Sequence, residues 1–299
     1  MKELNKIYFD ECPNHLTMID YINRSASFDF EDNLDQGLGF YEFTLEELGL
    51  PTADELLDKV LAVKRKIGGL EGWKKNGISS SFYKGFSLTY NSSYIYPEQS
   101  IYGQTFGDYN LTQSFSKNVS IAQVKQIKNS YYDTLAFRHI SDVIEQNLGS
   151  FLNLFSLDIS RSRCAFLLGS DDTTADKINY HIDEYPIHLL RFNIPLQTSK
   201  EYVLEINGSD EFNNSMSIIK HLEKGKLYIW NTRIPHKVYS KVGFVQEPER
   251  IHLVLGMMPW LKYVENYSAL MPNCYYGLTL KKIIENKLFL KSGVFNKFI

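Results

Sequence analysis

The chain has 299 residues, 43% hydrophobic and 22% charged, with a formal net charge of −3 at pH 7. Such a length supports one large or two small domains with a substantial core, and the weak charge leaves no electrostatic footprint for nucleic acid or an anionic membrane. Cys12, Cys164 and Cys274 are scattered without C-x-x-C spacing, which argues against a disulfide framework or zinc knuckle. The opening MKELNKIYFDECPNH lacks a long apolar h-region, and no run reaches the roughly 18 apolar residues of a membrane span. The expectation is a cytoplasmic protein with reduced thiols, Cys164 buried on a strand. Its oligomeric state is not readable.

In chain order, Thr52 and Glu55 form a T-x-x-E capping box. Leu56, Leu57, Val60, Leu61 and Ile67 follow at helical spacing until Gly68-Gly69 ends the run. The run FSLTY (86–90) reads as a strand. The segment 90–118, rich in Tyr, Ser, Asn and Gly without an apolar period, is too long for an ordinary connection. It is either a lid whose aromatics close over a substrate or a rigid Ω-loop packed by its own tyrosines. Ser120 and Gln123 form a second capping box, opening a longer helical stretch, continuous or broken near its middle, with Ile121, Val124, Ile127, Leu135, Ile140, Val143 and Ile144. Both helices are expected to brace one face of a sheet.

From Arg161 the pattern changes to short β-rich runs: SRCAFLLG, INYHID, HLLRFNIPL, EYVLEI, KLYIW, HKVYS and RIHLVLGM. With FSLTY they make about eight strands, the size of a double-sheet jelly roll of the cupin kind. The expected fold is therefore mainly β with flanking helices, a double-stranded β-helix. One catalytic domain would contain a helix-rich part (1–150), a jelly-roll core (151–260) and a C-terminal helical segment (261–299). In that segment LTLKKIIENKLFL places Leu280, Ile283, Ile284 and Leu288 on one face.

The chemistry concentrates in four residues of the second half. His181 and Asp183 lie two apart, so on an extended strand both side chains point to the same side. The turn NTRIPH delivers His236, and RIHLVLGM begins with Arg250. Two imidazoles and one carboxylate form the facial triad of a non-haem Fe(II) oxygenase, leaving open positions for a bidentate co-substrate and dioxygen. A structural zinc site would fill four positions and prefer thiolates. An arginine opening so apolar a strand needs an anionic partner if it faces inward. A bound dicarboxylate is one such partner, and a salt bridge to Glu247 or Glu249 is the alternative. His252 shares the strand face of Arg250 and reads as a core histidine held by a hydrogen bond or as a pocket residue, while His188 is expected to point away.

The run HIDEYPIHLLRFNIPL, the W-N-x-x-x-P-H turn and ERIHLVLG resemble the aspartyl/asparaginyl β-hydroxylase superfamily, and within it the bacterial cis-3-proline-hydroxylase-like enzymes. The resemblance covers roughly residues 160–260. It implies a jelly roll, Fe(II), 2-oxoglutarate as co-substrate and O2. His181, Asp183 and His236 would hold the iron, and Arg250 would pair with the distal carboxylate of 2-oxoglutarate. Arg191 stands where the family's R-x-H strand motif has its arginine, implying a carboxylate contact. Asn193 replaces that motif's histidine; it donates a hydrogen bond but carries no charge.

Retention of the carboxylate Asp183 favours hydroxylation over halogenation, in which a halide takes that place on the iron; desaturation or cyclisation stays open. The expected substrate is a small polar molecule, an amino acid or amino-acid-derived metabolite. Arg233, Arg163, Arg161 and Trp230 are its candidate contacts, with Arg161 and Arg163 alternatively a solvated strand face. A hydroxylase of Asp- or Asn-type side chains in peptides and a metal-binding cupin without oxygenase activity are the alternatives.

Overall fold

The computed structural model describes residues 38–75, 78–90, 138–168, 180–183, 186, 189–210, 213–240, 250–264, 269–273, 275 and 278–291. The strands are β1 (Tyr41–Thr44), β2 (Glu71–Lys75), β3 (Ile78–Ser87), β4 (Thr89–Tyr90), β5 (His139–Ile140), β6 (Asp158–Leu167) and β7 (Leu190–Gln197). They continue as β8 (Tyr202–Ser209), β9 (Ser215–Lys220), β10 (Lys226–Ile229), β11 (His236–Ser240), β12 (Arg250–Met258), β13 (Leu261–Val264) and β14 (Ala269–Pro272). The helices are α1 (Ala53–Ile67), α2 (Asp142–Leu152) and α3 (Leu280–Glu285).

An antiparallel seven-stranded sheet runs in the order β1-β10-β7-β12-β6-β3-β2 and is faced by a three-stranded sheet, β11-β8-β9. His181 extends the smaller sheet through a bridge to His236. The result is the expected jelly roll, mainly β with flanking helices. Period-two alternation builds it: Leu190, Phe192, Ile194 and Leu196 of β7 and Ile251, Leu253, Leu255 and Met257 of β12 enter one core. Each fully buried apolar side chain contributes roughly 1.5–3 kcal/mol. Cys164 and Phe166 of β6 join that face, the thiol buried as expected.

α1 and α2 cover this core with Leu56, Val60, Val63 and Ile67, and Ile144, Leu148 and Phe151. In α1 the expected capping box is formed, Thr52 N–H donating to Glu55 Oε2 at 2.8 Å and Glu55 N–H to Thr52 Oγ1 at 3.3 Å. Gly68 ends the helix at φ 77, a left-handed conformation that glycine adopts without strain. The opposite face of the large sheet meets the small sheet through Tyr228 and Trp230 against Leu204, Ile206 and Ile234. This inter-sheet space holds the chemistry.

Several expectations change. Within the described residues the second helical stretch is interrupted at His139 and Ile140, which pair with Tyr90 and Thr89, and α2 begins at Asp142 after the extended Ser141. The capping box at Ser120 and the lid-or-Ω-loop segment after Tyr90 lie outside the described residues, as do Cys12, Cys274, His188, Glu247 and Glu249. FSLTY is not one strand: β3 ends at Ser87 and β4 starts at Thr89. α3 stops after Glu285, with Asn286 at the cap and Lys287 at φ 52, so Leu288 lies past the helix while still packing on the core. β1, β2 and β3 enter the large sheet, so the N-terminal part is woven into it as well as bracing it.

A bulge separates two regions of the sheet. Val254 faces Arg163 and Gly256 faces Ser160, so Arg161 and Ser162 together oppose Leu255. A Cβ on Gly256 would lie 2.2 Å from the Ser160 carbonyl oxygen and 2.9 Å from Leu189 Cδ1. Backbone cannot move aside as a side chain does. Gly256→Ala is therefore expected to cost about 1–3 kcal/mol of overpacking, read as a lower urea midpoint; an unchanged midpoint would contradict the close approach.

Candidate metal centre

His181, Asp183 and His236 converge, their ligating atoms all within 4.8 Å of one another. Local backbone pairing explains this. His181 and His236 exchange backbone hydrogen bonds at 3.0 Å in both directions, and Asp183 N–H donates to Thr232 O at 2.9 Å. The H-x-D segment thus lies antiparallel to the NTRIPH turn, with both carried by the small sheet.

The side chains suit a metal. His236 is 4% exposed, and its Nδ1 lies 3.0 Å from Ile234 O. The Nδ1–H donates to that carbonyl, which leaves Nε2 as the lone-pair nitrogen, 3.8 Å from Asp183 Oδ2. Burial lowers the His236 pKa, only partly opposed by the Asp183 charge, so the imidazole favours its neutral, ligating form. Burial pushes the Asp183 carboxyl up, but His181, His236, Arg191 and Arg163 outweigh it and hold the group well below the usual carboxylate range. An anionic carboxylate and an oriented imidazole nitrogen are a donor set that Fe(II) accepts.

The remaining residues occupy distinct places. Arg250 opens β12 opposite Leu167, 6% exposed. Its Nε donates to His252 Nε2 at 3.0 Å, while another guanidinium nitrogen lies 3.0 Å from His252 Nδ1. Burial lowers the Arg250 pKa to about 10, against small raising effects of Tyr83 and Tyr202. Among the described residues no carboxylate pairs with it. Arg191 and Asn193 lie on β7, on the face opposite the apolar core, with Asn193 between Tyr228 and Val254. Arg163 lies beyond Val254 on β6 and donates from Nε to Tyr83 Oη at 3.2 Å. Arg233 donates to the Asp183 carbonyl at 3.3 Å. Trp230 packs edge-on against the His236 ring at 5.8 Å, and its buried indole N–H meets no acceptor among the described residues.

His252 is the expected core histidine, accepting from Arg250, and burial followed by the Arg250 charge pushes its pKa well below the ordinary imidazole value of 6.5. Below that value the unfolded chain takes up a proton that folded His252 refuses. The unfolded state then binds more protons, so stability falls as pH drops and is flat above. Between pH 6.5 and 5 the metal-free protein is expected to lose up to about 1.4 kcal/mol per pH unit from this group, with His236 adding in the same direction. His252→Gln should flatten the pH dependence of the urea midpoint; an unaltered slope would contradict a neutral His252.

Sequence reasoning missed Asp210 and Asn231. Asn231, 1% exposed, donates from Nδ2 to Asp210 Oδ2 at 2.8 Å and accepts the Arg233 N–H at 3.0 Å. Asp210 is itself braced by Asn214 N–H at 2.9 Å and Nδ2 at 3.0 Å. This network fixes the turn that supplies His236 and the carbonyl holding Asp183. The W-N signal was visible, but nothing local marked Asp210 as its partner. Asn231→Ala is expected to lower stability by about 1–3 kcal/mol and Fe(II) affinity by roughly tenfold, measured by denaturant titration and calorimetry. Unchanged metal affinity would confine the network to a stabilising role.

No protein-family model matches the chain, and no curated protein sequence does. Solved structures are similar at low identity. One is the prolyl-4-hydroxylase of Pseudomonas putida, at 12% identity over 81% of this chain and 99% of that one, with a TM-score of 0.35. Another is SnoN, a non-haem alpha-ketoglutarate-dependent epimerase from nogalamycin biosynthesis, at 10% identity over 80% and 84%, with a TM-score of 0.38. A third is IDO from Bacillus thuringiensis, at 12% identity over 81% and 95%, with a TM-score of 0.34. Among the described residues no helix is long and apolar enough to cross a membrane.

Proposed function

We propose that the chain is an Fe(II)- and 2-oxoglutarate-dependent dioxygenase that hydroxylates an unactivated C–H of a small polar molecule, an amino acid or amino-acid-derived metabolite. The observation that carries this reading is the pairing of two features. A His181/Asp183/His236 cluster has the donors of a facial triad, and buried Arg250 lies on the facing sheet without a carboxylate partner among the described residues. The motif resemblance to the cis-3-proline-hydroxylase-like enzymes supports the same reading.

His181, Asp183 and His236 would hold the iron. Arg250, oriented by His252, would hold the distal carboxylate of 2-oxoglutarate through charge-assisted hydrogen bonds. Bound iron, 2-oxoglutarate and dioxygen together supply the oxidant, with succinate and CO2 as co-products. The protein's part is orientation and exclusion of water: Ile234 O fixes the His236 tautomer, Trp230 and Phe40 wall the His236 side, and neighbouring cations keep Asp183 ionised.

The test is Fe(II)-dependent succinate formation from 2-oxoglutarate. Wild type should release succinate and His181→Ala should not. Equal release by both, or none from iron-loaded wild type across an amino-acid panel, would overturn the proposal. A small-molecule pocket also predicts stimulation by free amino acids over peptides, which a screen of the two sets measures.

A further inference from the structure

The strand pairing at the candidate metal cluster has a second side. His181 and His236 oppose each other antiparallel, their ring centroids 4.4 Å apart. His236 also opposes Ile206, a core residue between the sheets, so both rings stand on the inner face. By period two the residues beside them, Tyr180 and Lys237, face outward. Glu205 on β8 continues that outer row opposite Lys237, and Ile219 on β9, 70% exposed, ends it. The outer row thus runs back to back with the inner row that carries the two histidines.

Tyr180 reaches past its nearest neighbour. Its hydroxyl donates to Glu205 Oε1, one strand beyond β11. Lys237 lies between them: its Nζ pairs with Glu205 Oε2 at 3.0 Å and sits 4.5 Å from the centroid of the Tyr180 ring. Asn207 is a further hydrogen-bond partner of the phenol. The bonds from Tyr180 and Lys237 hold the Glu205 carboxyl below its ordinary range, so the acceptor is an anion and the bonds are charge-assisted. Tyr180 is 42% exposed, which keeps the contribution of this cluster to global stability small.

Its effect on the H-x-D segment is more specific. Among the described residues, the backbone bonds of that segment are the pair between His181 and His236 and the one from Asp183 N–H to Thr232 O. So short an edge pairing opens locally at low cost, and a slip of one residue would turn His181 and Asp183 to the outer face. A metal binds only the paired arrangement, so its apparent affinity falls with the fraction of molecules that are paired. A side chain gripping β8 from the far face stabilises that arrangement without touching a ligand atom.

We propose that Tyr180, through Glu205 and Lys237, is a positioning residue for the metal centre, fixing the register of the H-x-D segment on the small sheet. This rests on the iron-binding part of the reading above and adds to it a cluster on the opposite face of the sheet.

Tyr180→Phe removes the hydroxyl and keeps the ring beside Lys237. Fe(II) is titrated calorimetrically into the purified chain without oxygen, and amide hydrogen exchange is followed in the metal-free protein. The variant is expected to bind Fe(II) about tenfold more weakly, the low end of the loss of an outer partner. Faster exchange should be confined to the amides of His181, Asp183 and His236, with the urea midpoint unchanged. Glu205→Gln should show the same loss, and the two changes together no more than either alone. Tyr239→Phe, whose ring also faces Lys237, at 5.1 Å, should bind Fe(II) as wild type does. A merely structural tyrosine would lower the midpoint and speed exchange throughout the small sheet, with Fe(II) affinity unchanged. That result, additive losses, or an equal loss in Tyr239→Phe would overturn the positioning role. Wild type that binds no Fe(II), with exchange at His181 and Asp183 still faster in Tyr180→Phe, would overturn the iron-binding reading alone.

Discussion

His236→Ala is expected to lower Fe(II) affinity more than about a hundredfold, since loss of an outer partner alone costs roughly 10–100-fold, and to abolish iron-dependent turnover. His236 is a candidate donor whose orientation is fixed by its neighbours. Its Nδ1–H is committed to Ile234 O and its ring is walled by Trp230, so Nε2 is the nitrogen presented toward Asp183. Burial keeps it neutral, so it need not lose a proton before binding a metal. Alanine removes the nitrogen and leaves a gap against Trp230, so some stability is lost as well. Iron content, far-UV dichroism and calorimetric titration separate the two effects. A folded variant that binds iron as tightly as wild type would remove His236 from the centre.

Arg250→Ala is expected to spare Fe(II) binding and to weaken 2-oxoglutarate by about 30-fold or more, corresponding to the roughly 2–5 kcal/mol lost when one partner of a buried charge pair is truncated. The guanidinium is buried, aligned on His252 and opposite the apolar Leu167, with no carboxylate partner among the described residues. A buried cation without an acid is costly in the unliganded protein, so the variant is also expected to match or exceed wild-type stability when 2-oxoglutarate is absent. A merely structural arginine would give the reverse: lower stability with unchanged 2-oxoglutarate half-saturation. Measuring both quantities on one variant decides between them.

The sheets were legible where alternation and apolar runs coincide, as in HLLRFNIPL and RIHLVLGM, which became β7 and β12. Each needs one apolar face toward the helices, and that requirement is written into neighbouring residues. β1, β2 and β9 were not legible: YEFT and EGWKK are short, and SMSIIK has a polar, half-exposed pattern with Ile219 70% exposed. Their pairing is decided by partners distant in the chain. The place of the break in the second helical stretch was hidden for the same reason, because β4 claims His139 and Ile140 across a long separation.

The candidate metal cluster was legible as residue types and spacing, and the structure brings His181, Asp183 and His236 together. Arg250 and His252 were legible from strand period, although their mutual hydrogen bond was not. Asp210 was invisible because its value lies in one contact with Asn231, 21 residues away. The β6 bulge was equally hidden, since neither Arg161 nor Ser162 signals a left-handed turn.

The most direct measurement is an anaerobic titration of the purified protein with Fe(II) and 2-oxoglutarate, following the visible metal-to-ligand charge-transfer band in wild type, His181→Ala and Arg250→Ala. The expected result is a band in wild type that is lost in His181→Ala and needs more 2-oxoglutarate in Arg250→Ala. A folded, iron-loaded wild type without the band would contradict the co-substrate chemistry and leave a metal-binding jelly roll in its place.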